Sequence, residues 1–340
     1  MEFELEFEHK PAAHCENGVI VNLLKFYGFE ISEAMVFGLA SGLFFTHIPF
    51  LKMTGMAVTS FRTFPGVLFS RVAKLLGFKI KVKRFRNKER AMKKLDETLL
   101  TGIPVCCVVG MYYLPYAPFE YRFHFNGHNI CIIGKDAQDN YLVSDPITIE
   151  KVSISRNDLI KVRFAKGGPY PLLGQMYWIK SVPKQLPDLE PIIRYAIKRN
   201  CRLMTSQPKL IKWVGVNGIF YLSKVIRTWE HKMGKRKAAL NLANIVRMLE
   251  EIGTGGAGFR YMYAAFLQEA EKILRIPELN DFSIKMTQIG DLWRDFAYKA
   301  ARIFKQRKGE NYSYNQIADI LYNIAELEKN FFIDLKKVVK

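Results

Sequence analysis

The hydrophobic pattern mixes strand and helical periods in the first half of the chain and is helical alone in the second half. Phe3, Leu5 and Phe7 alternate with glutamates, which is the period of a half-buried strand. The next predicted helices lie in HCENGVIVNLLKFYG, in SEAMVFGLASG, around 66–76 and around 87–101. Gly28 supplies a stop for the first of them, and Ser32 can cap the second.

Strand signals follow these helices. IPVCCVVGMYYL and QMYWIKSV are apolar and rich in β-branched or aromatic residues, and NICIIGKDAQDNYLVSDP predicts two strands joined by a polar turn. Residues 1–183 are therefore predicted to form an α+β domain, with helices followed by a mostly antiparallel sheet. VPKQLPDLEP contains three prolines and indicates a linker. Beyond it, residues 184–340 show amphipathic helical spacing and predict an all-α domain.

The uncharged run from Ala34 to Leu51 approaches the length of a membrane span but contains Gly38, His47 and Pro49. It predicts a buried helix followed by a loop, with no membrane insertion. The acidic N-terminus argues against a secretory signal. Five cysteines form neither a disulfide framework nor a CxxC zinc spacing, so we expect a reduced, cytoplasmic protein with no metal.

The chain is basic, with a formal net charge of +19. Lys, Arg, Asp and Glu counts give 23 basic and 16 acidic residues in 1–183, and 28 and 16 in 184–340. One stretch is dense in positive charge and has Glu89 as its acidic residue: Lys79, Lys81, Lys83, Arg84, Arg86, Lys88, Arg90, Lys93 and Lys94. It could attract nucleic acid, an anionic membrane or an acidic protein, or be a solvated strand edge and helix face. No nucleic-acid motif accompanies it, so we expect no nucleic-acid partner.

Cys15 is the first candidate for chemistry, because it lies just before a predicted helix. The unpaired N–H groups and the dipole at a helix N-terminus favour a thiolate. This is the arrangement of the nucleophile in papain-like enzymes, where a distant sheet supplies the base. The alternative for an isolated cysteine is a small buried apolar side chain.

The predicted hairpin supplies the base. With its turn centred between Asp136 and Ala137, His128 faces Asp145 across the two strands. Directly opposed side chains have Cβ atoms about 5 Å apart. A carboxylate holds an imidazole in one tautomer and stabilises its cation. Cys15, His128 and Asp145 are therefore the predicted catalytic residues. The alternative for His128, taken by itself, is a buried histidine of the core.

These residues also carry a family resemblance. Residues 11–183 resemble the N-terminal domain of the butirosin biosynthesis protein H family through HCENGVIVNLLKFYG, SEAMVFGLASG, YYLPY and GHNICIIGKD…LVSDP. Residues 186–306 resemble that family's helical C-terminal domain through GTGGAGFRYMYAAFLQEA and DLWRDFA. The resemblance implies a papain-like fold. In the namesake it implies transfer of an acyl group from an acyl carrier protein to an aminoglycoside amine, in secondary metabolite biosynthesis.

The chain departs from related bacteriocin-processing cysteine peptidases at the oxyanion hole. They carry a Gln a few residues before the Cys, where this chain has Pro11, Ala12, Ala13 and His14. The oxyanion donors are therefore predicted to be the Cys15 backbone N–H together with His14 or Asn17. His14 could equally be a packing residue.

Two further features have open interpretations. GTGGAG follows a helix rather than a strand, so it predicts a tight turn between helices, or an anion site at Gly255, Gly256 and Gly258 for a phosphate such as that of phosphopantetheine. Aromatic residues cluster before the hairpin and could line an acyl or acceptor pocket or form core: Tyr112, Tyr113, Tyr116, Phe119, Tyr121 and Phe123.

The leading hypothesis is a cysteine-dependent acyltransferase with no bound cofactor, whose donor is an acyl-phosphopantetheine thioester on an acidic acyl carrier protein. A small-molecule amine or hydroxyl would be the acceptor. A hydrolase with the same residues, acting as peptidase, amidase or thioesterase, differs only in using water as the acceptor. A non-catalytic binding protein on the same scaffold is the third hypothesis.

Overall fold

The computed structural model describes residues 2–53, 55–118, 122, 124–168, 170–206, 211–305 and 312–339. The chain divides into two compact units. Unit 1 contains Met1–Val36 and Pro65–Pro187, and unit 2 contains Phe37–Phe64 and Asp188–Lys340. The predicted domains, 1–183 and 184–340, assigned residues 37–64 to the first domain, whereas the structure assigns them to unit 2.

Helices and strands are interspersed along the chain up to residue 181, and the described elements after it are helices. The helices are α1 (Cys15–Phe26), α2 (Glu33–Leu39), α3 (Val67–Leu75), α4 (Lys88–Leu99), α5 (Arg156–Arg163), α6 (Leu189–Thr205), α7 (Gly215–Ile226), α8 (Trp229–Met233), α9 (Lys235–Val246), α10 (Arg260–Leu274), α11 (Glu278–Lys305) and α12 (Tyr314–Val338). The strands are β1 (Phe3–Glu4), β2 (Leu43–Met53), β3 (Met56–Arg62), β4 (Lys79–Lys83), β5 (Val105–Gly110), β6 (Asn126–Lys135), β7 (Tyr141–Ser144), β8 (Val152–Ile154) and β9 (Met176–Ser181).

Unit 1 is built on one antiparallel sheet. Its order is β4-β9-β5-β6-β7-β8, and β1 pairs with the end of β6. The strand β6 therefore lies inside the sheet, while β4 lies at one edge. This sheet and the helical C-terminal region confirm the predicted mixed α+β architecture.

Alternate side chains of the central strands cover the two faces of this sheet. Cys107 and Ile130 belong to an apolar cluster that includes residues of α4 and α5. Cys106 and Cys131, whose sulfurs lie 3.7 Å apart, point to the other face and are close enough to Tyr27, beside the end of α1, to influence its pKa. The helix that begins at Cys15 therefore packs on one face of the sheet, and α4 and α5 cover the opposite face.

The predicted loop after α2 was wrong. The segment forms an 11-residue strand, β2, which pairs with β3 in an antiparallel hairpin of unit 2. The loop was predicted partly because Pro49 lacks the N–H donor that a regular strand requires. Pro49 lies where the register shifts between Ile48 and Lys52, and such an irregularity tolerates a residue without this donor. In unit 2, Phe45 and Phe61 of this hairpin pack on Trp293, with ring centroids 5.9 and 5.2 Å away.

The rest of unit 2 is helical. No strand is assigned in the described residues after Ser181, and an isolated bridge joins Thr46 to Val214. GTGGAG connects helical segments, as predicted, because a π-turn at Arg247–Glu251 precedes it and α10 follows. Across the described part of the chain, no helix has both the length and the apolarity needed to cross a membrane.

Candidate active site

Cys15 is the first residue of α1, and its side chain is partly exposed. The other four cysteines are buried: Cys106, Cys107, Cys131 and Cys201. His14 caps the helix, since its Nδ1 accepts the backbone N–H of Asn17 at 3.3 Å. His14 and Asn17, predicted as oxyanion candidates, thus form the start of the helix that carries Cys15.

The backbone before Cys15 is held by Glu33, the first residue of α2. Its two carboxylate oxygens accept the N–H groups of His14 at 2.7 Å and Ala13 at 3.1 Å. Burial raises the pKa of Glu33, and these two hydrogen bonds act in the opposite direction. Sequence reasoning missed this residue, although it lies in the SEAMVFGL motif, because a bond to a distant backbone leaves no periodic signal.

Gly18 brings α1 against the loop that follows Asp145. A Cβ at this position would lie 2.5 Å from the Cβ of Ala12 and 2.7 Å from that of Pro146, far closer than real contacts. The Ala12 N–H also donates to the Pro146 carbonyl at 3.0 Å. The glycine therefore permits the approach that places Cys15 near the loop of Asp145.

His128 and Asp145 form a buried pair. Both carboxylate oxygens of Asp145 lie close to Nε2 of His128, at 2.9 and 2.8 Å. The Tyr116 hydroxyl donates to Asp145 at 3.0 Å, and the Ile147 N–H donates at 3.1 Å. Three donors thus fix the orientation of this carboxylate.

The predicted register between these two residues was wrong. Cys131 pairs with Ser144, and extending this register by one residue sets Asp145 opposite Ile130. His128 lies two residues further along β6, so it is a diagonal neighbour of Asp145 rather than a direct one. Side chains of this length can bridge a diagonal of about 7–8 Å.

The turn of the hairpin explains this error. It is longer than assumed, because the Asp136 N–H bonds to the Asn140 carbonyl and Asp139 adopts a left-handed φ of 61°. A further register shift lies between Ile132 and Gly134. The carboxylate–imidazole contact is formed despite the shift because an offset of two residues keeps both side chains on the same face.

Cys15 completes the group, because its side chain hydrogen-bonds to His128. Asp145 occupies Nε2, which leaves Nδ1 as the ring nitrogen for the sulfur. Burial lowers the pKa of His128, but the charges of Asp145 and Cys15 and the hydrogen bonds to both outweigh it and raise the pKa to about 10. The imidazole is therefore a cation at neutral pH, and it lies between the Asp145 carboxylate and the Cys15 sulfur.

A second histidine braces the loop of Asp145. Nδ1 of His9 lies 2.8 Å from the Ser144 hydroxyl, and Nε2 lies 3.1 Å from the Thr148 carbonyl. The two bonds reach either side of Asp145, and a carbonyl only accepts, so Nε2 of His9 carries a proton. His9 thereby joins the N-terminal segment to the loop.

The predicted aromatic pocket is divided by the structure. Tyr116 contacts Asp145, as described above. Tyr112 is 42% exposed and stacks on His124, with ring centroids 3.9 Å apart. Tyr113 packs at the edge of the apolar core, with Lys161 Nζ 4.6 Å from its ring centroid. Three members of the predicted cluster, Phe119, Tyr121 and Phe123, lie outside the described residues.

The glycine-rich segment of unit 2 is occupied by contacts within the protein. The Ala257 N–H donates to the Glu250 carboxylate at 3.3 Å, and the Gly256 N–H donates to the Thr254 hydroxyl at 3.1 Å. At Gly258 an added Cβ would lie 2.6 Å from the Phe61 ring. These contacts favour the predicted tight turn, and an anion site at Gly255, Gly256 and Gly258 stays a prediction.

A separate cavity of about 370 Å³ in unit 1 contains none of the three candidate catalytic residues. It is lined by Lys10, Val21, Lys25, Glu30, Ile31 and Ser32. Among the described residues no cluster of His, Cys, Asp and Glu is suited to hold a metal ion.

Two family models match the chain. The model described as butirosin biosynthesis protein H, N-terminal, matches residues 14–146, which contain Cys15, His128 and Asp145. This match confirms the family resemblance and indicates an enzyme of biosynthesis. A comparison with curated proteins found no match. The model described as domain of unknown function (DUF4872) matches residues 157–335, more than half of the chain. The chain therefore belongs to the DUF4872 family, and the part before that domain matches the family model of the N-terminal domain of butirosin biosynthesis protein H.

Proposed function

We propose that this protein is a cysteine-dependent acyltransferase whose unit 1 is a papain-like catalytic domain. The observation that carries the proposal is the hydrogen-bonded series from the partly exposed Cys15 through His128 to the buried Asp145. A nucleophile, a base and a group that orients the base are the parts that nucleophilic acyl transfer requires.

In the first step the Cys15 thiolate attacks the carbonyl carbon of an acyl thioester and a C–S bond forms. The tetrahedral intermediate collapses by breaking the bond to the donor sulfur. The leaving thiolate takes the proton from the His128 imidazolium, which leaves an acyl-enzyme and a neutral imidazole. Asp145 holds the ring in place through both forms.

In the second step an amine or hydroxyl of a small-molecule acceptor attacks the acyl-enzyme. Neutral His128 accepts the proton from the attacking group, and the Cys15 thiolate is released as the new amide or ester forms. The imidazolium–thiolate pair is thereby restored. Water in place of the acceptor would give hydrolysis.

The oxyanion of each intermediate requires a donor close to Cys15. We assign this role to the Cys15 backbone N–H at the positive end of α1. The His14 ring and the Asn17 N–H bond to each other, so their contribution is to form that helix start. Glu33 positions the same backbone through its two bonds to Ala13 and His14.

The proposed donor is an acyl-phosphopantetheine thioester on an acidic acyl carrier protein, acting as substrate rather than as a resident cofactor. The match to a domain of butirosin biosynthesis protein H supports a role in biosynthesis of secondary metabolites. The formal charge of +19 suits an acidic protein partner, because complementary charge speeds encounter.

Intact mass spectrometry tests this function. The protein is incubated with S-acyl pantetheines and carrier-bound thioesters, in a series of acyl groups from acetyl to octanoyl. We expect an acyl adduct on Cys15 that an added amine discharges faster than water, and no adduct in Cys15→Ala. Discharge by water at a rate that no amine or alcohol increases would indicate a hydrolase. The absence of any adduct would favour a binding protein.

A further inference from the structure

The dense basic stretch forms one continuous part of unit 1, which we call the basic surface. It consists of Lys79, Lys81, Lys83, Arg84, Arg86, Lys88, Arg90, Lys93 and Lys94, on the edge strand β4, the following turn and α4. Seven of these side chains are exposed, and the two others, Lys83 and Lys94, are partly exposed.

This positive charge is largely uncompensated. Glu97 pairs with Lys94 at 3.0 Å, and the neighbouring Glu89 pairs instead with Arg156 of α5 at 2.6 Å. The other eight basic side chains make no ion pair with a described residue. Like charges held close together at a surface create a field that attracts an acidic partner.

The end of β4 at Lys83, from which the basic surface continues to α4, lies at the same end of the sheet as His128. Lys83 pairs with Met176, Met176 with Cys107, and Cys107 with Ile130, so one row crosses four strands from β4 to β6. His128 lies two residues from Ile130 along β6. Three strand spacings and a two-residue offset separate the Cα atoms of Lys83 and His128 by about 16 Å.

The chain after Lys83 continues toward that end. The Phe85 N–H donates to the Leu173 carbonyl at 2.6 Å, beside Gln175, which accepts the Val108 N–H. Val109, the next residue of β5, is the direct partner of His128. The segment from Arg84 to the start of α4 therefore continues from β4 at the end of the sheet where His128 lies.

This separation suits a tethered substrate. The backbone of a phosphopantetheine arm has about as many atoms as five peptide residues, which span roughly 16–18 Å when extended. A carrier protein bound on the basic surface could therefore present its thioester at Cys15 while remaining outside the site.

We propose that the basic surface, centred on Arg86, Lys88 and Arg90, is the docking surface for an acidic acyl carrier protein that delivers the acyl group to Cys15. This inference rests on the proposed function and specifies where its donor binds. The basic side chains on β4, the following turn and α4 supply the charge that attracts the carrier. The position of β4 in the sheet sets the distance that the phosphopantetheine arm must cross.

The test compares two donors with two charge-reversed variants. The docking variant is Arg86→Glu, Lys88→Glu, Arg90→Glu, which is compatible with folding because acidic residues suit the first turn of α4. The control variant is Lys235→Glu, Arg236→Glu, Lys237→Glu, with the same change in charge in the first turn of α9 in unit 2, where all three side chains are exposed. Formation of the Cys15 adduct is measured with an acyl carrier protein and with S-acyl pantetheine bearing the same acyl group.

We expect the docking variant to lose about tenfold or more of its rate with the carrier-bound donor, relative to its rate with S-acyl pantetheine. The control variant should retain the wild-type ratio, and added salt should lower the wild-type rate with the carrier alone. An equal loss in both variants, or none in either, would overturn the docking surface. So would a docking variant that loses affinity for a duplex oligonucleotide while keeping carrier-dependent transfer, since the surface would then serve nucleic acid.

The failure of the two proposals is distinguishable. If wild-type protein reacts with S-acyl pantetheine but shows no preference for the carrier-bound donor, the docking proposal fails and the acyltransferase remains. If neither donor acylates Cys15 in wild-type protein, both proposals fail together.

Discussion

Both units bury a carboxylate beside a cationic partner, and the two pairs differ in what surrounds them. In unit 2, Arg260 meets Glu328 through two hydrogen bonds of 2.9 and 3.0 Å, and both side chains are fully buried. Trp293 donates to the same carboxylate at 2.8 Å, and Gly258 accepts from the guanidinium at 2.8 Å. This pair is enclosed by structural partners on each side.

The pair in unit 1 has a different third partner. Asp145 is as fully buried as Glu328 and also accepts several hydrogen bonds, but its cation, His128, bonds onward to the partly exposed sulfur of Cys15. An imidazole can release its proton near neutral pH when its surroundings change, whereas a guanidinium cannot. The enclosed pair therefore contributes to the stability of unit 2. The pair in unit 1, which continues to the partly exposed Cys15 sulfur, is suited to the proposed chemistry.

The largest expected effect separates activity from stability in unit 1. Asp145→Asn removes the anion that stabilises the His128 cation, so we expect kcat for acyl transfer to fall by about 10³–10⁴-fold while the fold is retained. Circular dichroism and thermal unfolding check the fold. Asp139→Asn, in the exposed turn of the same hairpin, is the control and should leave kcat unchanged.

The matching change in unit 2 should act on stability instead. Glu328→Gln leaves the buried Arg260 guanidinium without its charge partner, which costs about 3–5 kcal/mol in the free energy of unfolding. Glu326→Gln is the control on the same helix, because Glu326 is partly exposed and its ion pair with Lys329 is long, at 3.6 Å. It should cost no more than about 1 kcal/mol. Equal losses in the two variants, measured by denaturant unfolding, would contradict the structural role of the enclosed pair.

A smaller effect is expected where a carboxylate acts on Cys15 through the backbone. Glu33→Gln replaces a carboxylate acceptor with an amide donor that faces a backbone N–H, which loosens the segment before Cys15. We expect kcat to fall about tenfold, equivalent to about 1.4 kcal/mol, with little change in KM. Glu30→Gln, which alters an exposed carboxylate three residues away, should change neither constant. A change in KM alone would contradict the positioning role.

The smallest expected effect concerns the protonation of the His128 ring. The pKa of His128 is raised to about 10, so nuclear magnetic resonance should show its ring protonated at neutral pH and titrating near pH 10. Because the folded pKa lies above the ordinary value of about 6.5, the pair stabilises the fold fully below that value, and this contribution is lost as the pH rises through about 10. In Asp145→Asn the pKa of His128 should fall, because burial lowers this pKa and the Asp145 charge that raises it is gone. Titration of wild-type His128 near pH 6.5 would contradict the charged pair.

The three residues proposed for chemistry could be chosen from the sequence because each has a local signal. Cys15 precedes a helical pattern, and His128 and Asp145 stand at the open end of an apolar hairpin. The register was wrong because turn length depends on local backbone geometry, here the left-handed Asp139. The contact is formed nevertheless, since the true register differs from the predicted one by an even number of residues.

The residues that the sequence did not reveal act through long-range contacts. Glu33 bonds to a backbone 19 and 20 residues away, and Tyr116 was predicted to line a pocket but also bonds to Asp145. The hairpin of Leu43–Met53 and Met56–Arg62 was missed because its packing partners, such as Trp293, lie far along the chain. Such contacts follow from the tertiary fold rather than from periodicity.

The most direct test of the account is the rate at which iodoacetamide labels each cysteine at neutral pH, read by peptide mass spectrometry. Burial raises the pKa of the thiols of Cys106, Cys107 and Cys201, so these should remain unlabelled in folded protein. We predict that Cys15 is labelled first, and that His128→Ala slows this labelling by about tenfold or more because the thiolate loses its cation. Labelling of Cys15 that is no faster than that of the buried cysteines, or that is unchanged in His128→Ala, would contradict the proposal that His128 activates Cys15.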